Sequence, residues 1–302
     1  MRAQTADGPL APARAATVPG RPARPSPARP QPGSWNRGRP RRRTVRISWP
    51  RLGAQLACIA LAIGLWQLLV SSGVIPTSAV SAPSSVAAAL GGLAPTGSFW
   101  ASTCATVSSW AIGLAISLAV AIPAGLALGA SDLAYRMSRV SIDFLRTIPP
   151  VALIPLALLL YGATEKMALV LIIFGSVWPV LLQSMYGVHQ VDPVARDVAR
   201  SYQFRRRQVV FDVVLPSAAP FIATGIRIAA TMSLLLAVGA ELIGGAAGLG
   251  ASIALAEQNG DIPQMYAYIV TSAVLGVLLN LALLKGERRV LRWHAAHRPA
   301  AA

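Results

Sequence analysis

Between positions 52 and 131 the chain carries no Asp, Glu, Lys, Arg or His, an uncharged run of 80 residues. A soluble domain averages about 25% charged residues, whereas this chain has 13% and a mean hydropathy of +0.55. Its solvent is therefore a bilayer. A membrane-spanning helix takes about 20 apolar residues, and Pro76, Pro83, Gly91, Gly92, Pro95 and Gly97 divide the run. The pattern predicts a first span near 52–71, a Ser/Pro/Gly loop, and a second span near 105–130.

Four further apolar segments follow. The third begins after Arg146 and reaches Tyr161, entered through Ile148-Pro149-Pro150 and carrying Pro155. Such prolines persist in a bilayer where neighbours re-satisfy the freed carbonyls, so this helix is expected to face protein or a pathway. The fourth follows Lys166 and runs to about Gly187, and the fifth and sixth occupy about 218–243 and 265–284. The expected fold is an all-α integral membrane protein of six transmembrane helices.

The charges between these segments give the orientation. Lys and Arg are absent after the first and fifth spans, and only Lys166 follows the third. By contrast Arg136, Arg139 and Arg146 follow the second span, Arg196, Arg200, Arg205, Arg206 and Arg207 the fourth, and Lys285, Arg288, Arg289, Arg292 and Arg298 the sixth. Basic loops stay inside, which places both termini and the loops 131–147 and 188–217 in the cytoplasm. A net charge of +16 would suit a nucleic-acid binder if it formed one surface. Twelve of the 27 cations lie in the first 51 positions, however, and the others sit in short clusters between apolar runs, so no nucleic-acid partner is expected.

Residues 1–50 hold ten prolines among Arg, Ala and Gly. Without apolar periodicity this segment is expected to be a disordered cytoplasmic tail, and it lacks the small-residue cleavage site of a signal peptide. The transmembrane domain then covers 51–290 and a short cytoplasmic tail 291–302. Cys58 and Cys104 lie in apolar surroundings, and His189, His294 and His297 stand apart from acidic clusters. Neither a metal nor another cofactor is expected.

One cytoplasmic loop is patterned as a helix. Asp192-Pro193 supplies a cap and first-turn proline, and Val194, Val198 and Tyr202 recur at i, i+4 and i+8 as an apolar ridge. Such a helix either inserts into a groove on a soluble partner or lies on the lipid surface beside Arg205-Arg206-Arg207. The segment Asp197-Val198-Ala199, three residues, Gln203, nine residues, and Val213-x-Leu215-Pro216 resembles the Glu-Ala-Ala loop of permease subunits of binding-protein-dependent ABC importers. The spacing is complete, but Asp197, Val198 and Gln203 replace Glu, Ala and Gly. Gln203 in place of the glycine implies that the turn is made differently or that the helix continues.

Leu145-Arg146-Thr147-Ile148-Pro149-Pro150, Val188-His189-Gln190-Val191-Asp192-Pro193 and Ala240-Glu241-Leu242-Ile243-Gly244 resemble the nitrate, aliphatic sulfonate and taurine group of these permeases. The resemblance covers about 50–293. It implies a multi-pass protein of the bacterial cytoplasmic membrane that passes a small anionic solute delivered by a periplasmic or surface-anchored binding protein. It also implies a separate ATPase subunit, held at the 188–217 loop with Ala199 in the contact, and a second permease copy. The only lysines, Lys166 and Lys285, complete no G-x-x-x-x-G-K-S/T motif, so the chain holds no P-loop of its own and is expected to be no enzyme. A self-contained secondary transporter or channel, the rival reading, would want more charge at mid-membrane and would not need the cytoplasmic helix.

Arg227 and Glu241 are the full charges within the predicted spans. Spaced 14 residues apart, they fall within about 40° of one helix face, and a charge in a span usually faces protein or water. Arg227 is thus the candidate for meeting an anion, and Glu241 for the external mouth or gate. Gly244, Gly245, Gly248 and Gly250 read as an ordinary flexible loop or, alternatively, as a loop that enters the pathway. Gly113, Ser117, Gly125 and Gly129 are expected to let helices approach closely, within the subunit or across a dimer.

Overall fold

The computed structural model describes residues 49–291, so the 1–48 part of the arm and the tail after Leu291 lie outside the described residues. Helices α1 (Trp49–Ser71), α2 (Pro83–Leu93) and α3 (Gly97–Gly129) are followed by α4 (Asp132–Leu145) and a 3-10 turn at Pro150–Leu153. Next come α5 (Ile154–Tyr161), α6 (Glu165–His189), α7 (Pro193–Ser201) and α8 (Arg206–Gln208). A π-helical turn at Val209–Val214 leads into α9 (Leu215–Gly244), then α10 (Leu249–Gln258) and α11 (Ile262–Val290). No strand occurs among the described residues.

Five helices are long and apolar enough to cross a bilayer, and the bent pair 132–145 and 150–161 makes a sixth span if counted as one. The third span therefore departs from expectation. Pro149 and Pro150 lack an amide N–H and end the α4 run, while Pro155 stands in the first turn of α5, where none is needed, leaving an eight-residue α5 after the 3-10 turn. The predicted basic loop 131–147 is instead mostly helical. Ser131 caps α4 by accepting from the Ala134 amide, and Leu133, Met137, Val140 and Phe144 form an exposed apolar stripe beside the charged face. The second span starts earlier than expected, at Gly97, because Thr96 caps it by accepting from the Phe99 amide.

The core is the triplet α3, α6 and α9, and its small residues explain it. A Cβ on Gly125 would fall 2.5 Å from the Ser184 Cβ and 2.7 Å from the Leu181 carbonyl oxygen. One on Gly129 would meet the Met185 carbonyl oxygen at 3.0 Å, and one on Gly113 the Ile172 side chain at 2.4 Å. Gly187 and Gly225 do the same between α6 and α9, against Ala218 at 2.8 Å and Gln183 at 2.9 Å. The close approach foreseen for Gly125 and Gly129 is thus made within the subunit. Ser117 and Ser176 share a hydrogen bond of 2.7 Å between α3 and α6, both fully buried, and the Trp110 indole donates to the Ala230 carbonyl at 2.9 Å. Without a hydrophobic force in lipid, such packing and hydrogen bonds hold helices together. Most of the described α1 side chains and nearly half of those of α11 are exposed, as for helices that meet lipid or another chain.

The glycine-rich segment after α9 is also not the expected flexible loop. Gly245 takes the left-handed conformation (φ 73°) and its amide closes on the Glu241 carbonyl, ending α9. The chain then turns back as α10, whose Leu249, Ile253 and Ala256 are buried beside α2 and α11 residues Val86, Ala267 and Tyr268.

Candidate functional site

The segment between α6 and α9, expected on the cytoplasmic side, is polar yet well structured. Asp192 accepts from the Val194 amide at 2.9 Å, Pro193 opens α7, and the Arg196 guanidinium donates to the Val188 carbonyl, fastening α7 to the end of α6. Tyr135 of α4 packs edge-on against His189 at 4.4 Å between ring centroids. At the far end the Phe204 amide donates to the Ala199 carbonyl and the Gln203 amide to the Arg200 carbonyl, both at 2.9 Å. That paired closure requires a left-handed residue at the turn, and Gln203 supplies it with φ 53°. Neither sequence expectation for this position holds: the helix stops, and the turn is the ordinary one, made by a residue with a side chain.

The Gln203 conformation costs about 1–2 kcal/mol that a glycine would not incur, offset by the greater freedom of an unfolded glycine, about 0.5–1 kcal/mol. Gln203→Gly is therefore expected to stabilise the turn slightly, and Gln203→Val to open it about fivefold more often. Trypsin cleavage at Arg205, Arg206 and Arg207 measures this: the glycine variant is cut more slowly than the parent and the valine variant faster.

The ridge residues Val194, Val198 and Tyr202 are 67%, 48% and 75% exposed, so about half or more of each is left uncovered by the described chain. Ala199 is instead 2% exposed and faces this chain's own interior, which corrects its placement in an intersubunit contact. Its small side chain lets α7 lie close to the segment 209–214. Asp197 pairs with Arg200 at 3.7 Å, both well exposed, a contact that contributes little. Val213, Leu215 and Pro216 are half-buried where the wide π turn passes into α9. Pro216 brings no amide to the ladder there, so the wider turn and the proline occur together.

The two charges of the fifth span do not meet. Glu241 is fully buried, not at an open mouth. Its Oε2 accepts from the Thr106 hydroxyl at 2.8 Å and the Gly250 amide at 3.0 Å, while Thr106 accepts from the Leu249 amide at 2.9 Å. The carboxylate thereby ties α3, α9 and the start of α10 together. Gly248 and Gly250 are required beside it, since a Cβ on Gly248 would lie 2.1 Å from the carboxyl carbon and one on Gly250 2.2 Å from the Val238 carbonyl oxygen. Arg227 is paired with Glu287 of α11. The cost of a charge in a span is met by this partner, so Arg227 is no free cation awaiting an anion. Glu287 escaped notice in the sequence because Lys285, Arg288 and Arg289 around it mark a basic tail. Thr106, uncharged and mid-helix, gave no sequence signal.

Among the cavities that flank α9 are two with charged side chains in their walls. One, of about 630 Å³, is lined by α9 and α11 and is apolar apart from Arg227 and Glu287. The other, of about 500 Å³, lies between the Arg146–Pro150 turn, α6 and α9, where Arg146, Gln183, Tyr186 and Trp178 line it. Among the described residues no group of His, Cys, Asp and Glu is placed to hold a metal.

Residues 119–292 match the family model of the binding-protein-dependent transport system inner membrane component. A permease named for aliphatic sulfonates transport, SsuC of Bacillus subtilis, is 29% identical over 238 residues, covering 79% of this chain and 86% of its own. The nitrate import permease protein NrtB of Synechocystis is 31% identical over 176 residues, 58% of this chain and 64% of its own. Among solved structures, a chain of the MetNI methionine ABC transporter in an inward-facing conformation superposes with a TM-score of 0.52 at 20% identity. That superposition covers 62% of this chain and 92% of the other, and it bears on the fold alone.

Proposed function

Because the chain belongs to the family of inner membrane components of binding-protein-dependent transport systems, and is thus the permease subunit of an ABC importer, we propose that its solute is a small oxyanion of the sulfonate, taurine or nitrate type. ATP hydrolysis belongs to a separate subunit and solute capture to an external binding protein. The observation that carries the solute reading is the similarity over most of the chain to permeases named for aliphatic sulfonates and nitrate.

In this reading two copies of the chain enclose the pathway in the bacterial cytoplasmic membrane, with both termini and α7 on the cytoplasmic side and residues 1–50 as a cytoplasmic tail before the 51–290 domain. The exposed ridge Val194, Val198 and Tyr202 seats in a groove of the ATPase subunit, flanked by Asp197 and held in place by Gln203, Val213, Leu215 and Pro216. A ridge this apolar on a water-facing helix is the form a groove-binding helix takes. ATP binding then shifts the pore through differential contacts at that helix.

Uptake of labelled taurine, ethanesulfonate and nitrate by cells with and without the gene tests the proposal. Deletion is expected to lower uptake of one of them at least tenfold, with restoration by the gene on a plasmid. Unchanged uptake of all three rejects the oxyanion class.

A further inference from the structure

The cavity beside the Arg146–Pro150 turn differs in kind from the one beside Arg227. Its lining combines one cation, Arg146, with the side chains of Gln183 and Tyr186, and Trp178 and Pro179 form an apolar wall. No acidic residue lines it. Asp143, the nearby acid, is shared: it lies 3.0 Å from the Arg146 guanidinium and 3.7 Å from that of Arg139. One carboxylate between two guanidinium groups leaves one positive charge uncompensated. Among the described residues the Gln183 amide and the Tyr186 hydroxyl have no hydrogen-bond partner, so both are free to donate. Groups of this polarity do not face hydrocarbon without cost, and their lining therefore belongs to a water-filled or solute-filled space. On the other flank of α9, Glu287 neutralises Arg227 and the remaining wall is nearly all apolar.

We propose that the Arg146 cavity is a solute subsite of the permease, taking one small oxyanion whose charge faces Arg146 and whose oxygens accept hydrogen bonds from Gln183 and Tyr186. The apolar Trp178 wall receives the organic end of a sulfonate. This rests on the oxyanion reading given above and moves the role of anion-facing cation from Arg227 to Arg146. Pro149 and Pro150 place Arg146 there, because they end the run of α4 and turn the chain by 70° beneath α6.

Thiol labelling tests the site without relying on uptake. In the full chain with its ATPase subunit in lipid nanodiscs, Cys58→Ser and Cys104→Ser remove the native thiols, both of which are exposed. Gln183→Cys, and separately Thr147→Cys, are then modified with sulfonatoethyl and with trimethylammonioethyl methanethiosulfonate. The anionic reagent is expected to react faster than the cationic one at both positions, and Arg146→Gln to lower that preference by about tenfold, with Arg146→Lys retaining it. Ala282→Cys in the Arg227 cavity is expected to show no such preference. A preference at positions 147 and 183 that ignores Arg146→Gln overturns the subsite, whatever the uptake result. A preference that vanishes with Arg146→Gln supports the anion site, and if uptake of taurine, ethanesulfonate and nitrate is meanwhile unaffected by deletion of the gene, it is the named solutes that fall. In the transporting complex, Arg146→Gln is expected to lower anion uptake at least tenfold while ATP hydrolysis stays within about twofold. Loss of both together marks a structural role and also overturns the subsite.

Discussion

Gly125→Val is expected to remove most of the folded protein from the membrane. The added atoms have nowhere to go: the first alone would sit 2.5 Å from the Ser184 Cβ and 2.7 Å from the backbone oxygen of Leu181, and neither a neighbouring Cβ nor a carbonyl can swing aside as a side-chain tip can. Relief requires α3 and α6 to part over several turns, which also breaks the Ser117–Ser176 hydrogen bond. Overpacking typically costs about 1–3 kcal/mol, and the backbone clash puts this site at about 3 kcal/mol, a fall in melting temperature of roughly 10 °C. Gly239→Val is the control, since nothing lies within 4 Å of its Cβ position near the C-terminal end of α9. Size-exclusion profiles and melting curves of the two detergent-solubilised variants decide the matter. Equal loss in both would mean that glycine as such, and not the close approach, is what α3 needs.

Val198→Glu is expected to abolish transport while leaving the permease in the membrane at its normal level. Val198 is 48% exposed on α7 between Val194 and Tyr202, so a glutamate there strains nothing within the chain. In a desolvated contact with the ATPase subunit, however, an unpaired carboxylate costs about 2–5 kcal/mol, or a roughly 30- to 4,000-fold weaker association. Co-purification of the ATPase subunit with a tagged permease reads this directly. If the variant retains the ATPase subunit but α7 becomes newly accessible to protease in lipid, the ridge rests on the bilayer instead.

The six apolar segments and helix α7 were legible because hydropathy and period-3.6 spacing are local properties of a chain. The Asp192-Pro193 start of α7 was legible for the same reason, as cap chemistry acts within a turn. What escaped was pairing between distant residues. Nothing local to Arg227 indicates Glu287, 60 positions on, and nothing local to Glu241 indicates Thr106, 135 positions before it. Glycine density misled for a related reason. Gly248 and Gly250 read as a flexible loop, yet a glycine that leaves room for a buried carboxylate and one that leaves the backbone free are identical in sequence. The break of the third span was half legible: the prolines were evident, but the helical state of 132–145 was hidden by its charges. Gln203 was misjudged because a left-handed turn closed by two backbone hydrogen bonds can absorb the modest cost of a side chain.

Glycine-mediated contact among α3, α6 and α9 has a mechanical consequence. Helices that meet through backbone atoms have no side-chain layer to compress or shear, so the three behave as a stiff plate. The spacer α7 is fastened at one end of that plate through Arg196 and Val188, and α10 is pinned near the other through Glu241 and Gly250. With its 30 residues α9 is a lever of about 45 Å. A tilt of about 10° at the α7 end, undamped by the plate, displaces the far end and α10 with it by about 8 Å. The fold thus has the stiffness to carry a small push at α7 to the opposite end of the helix layer.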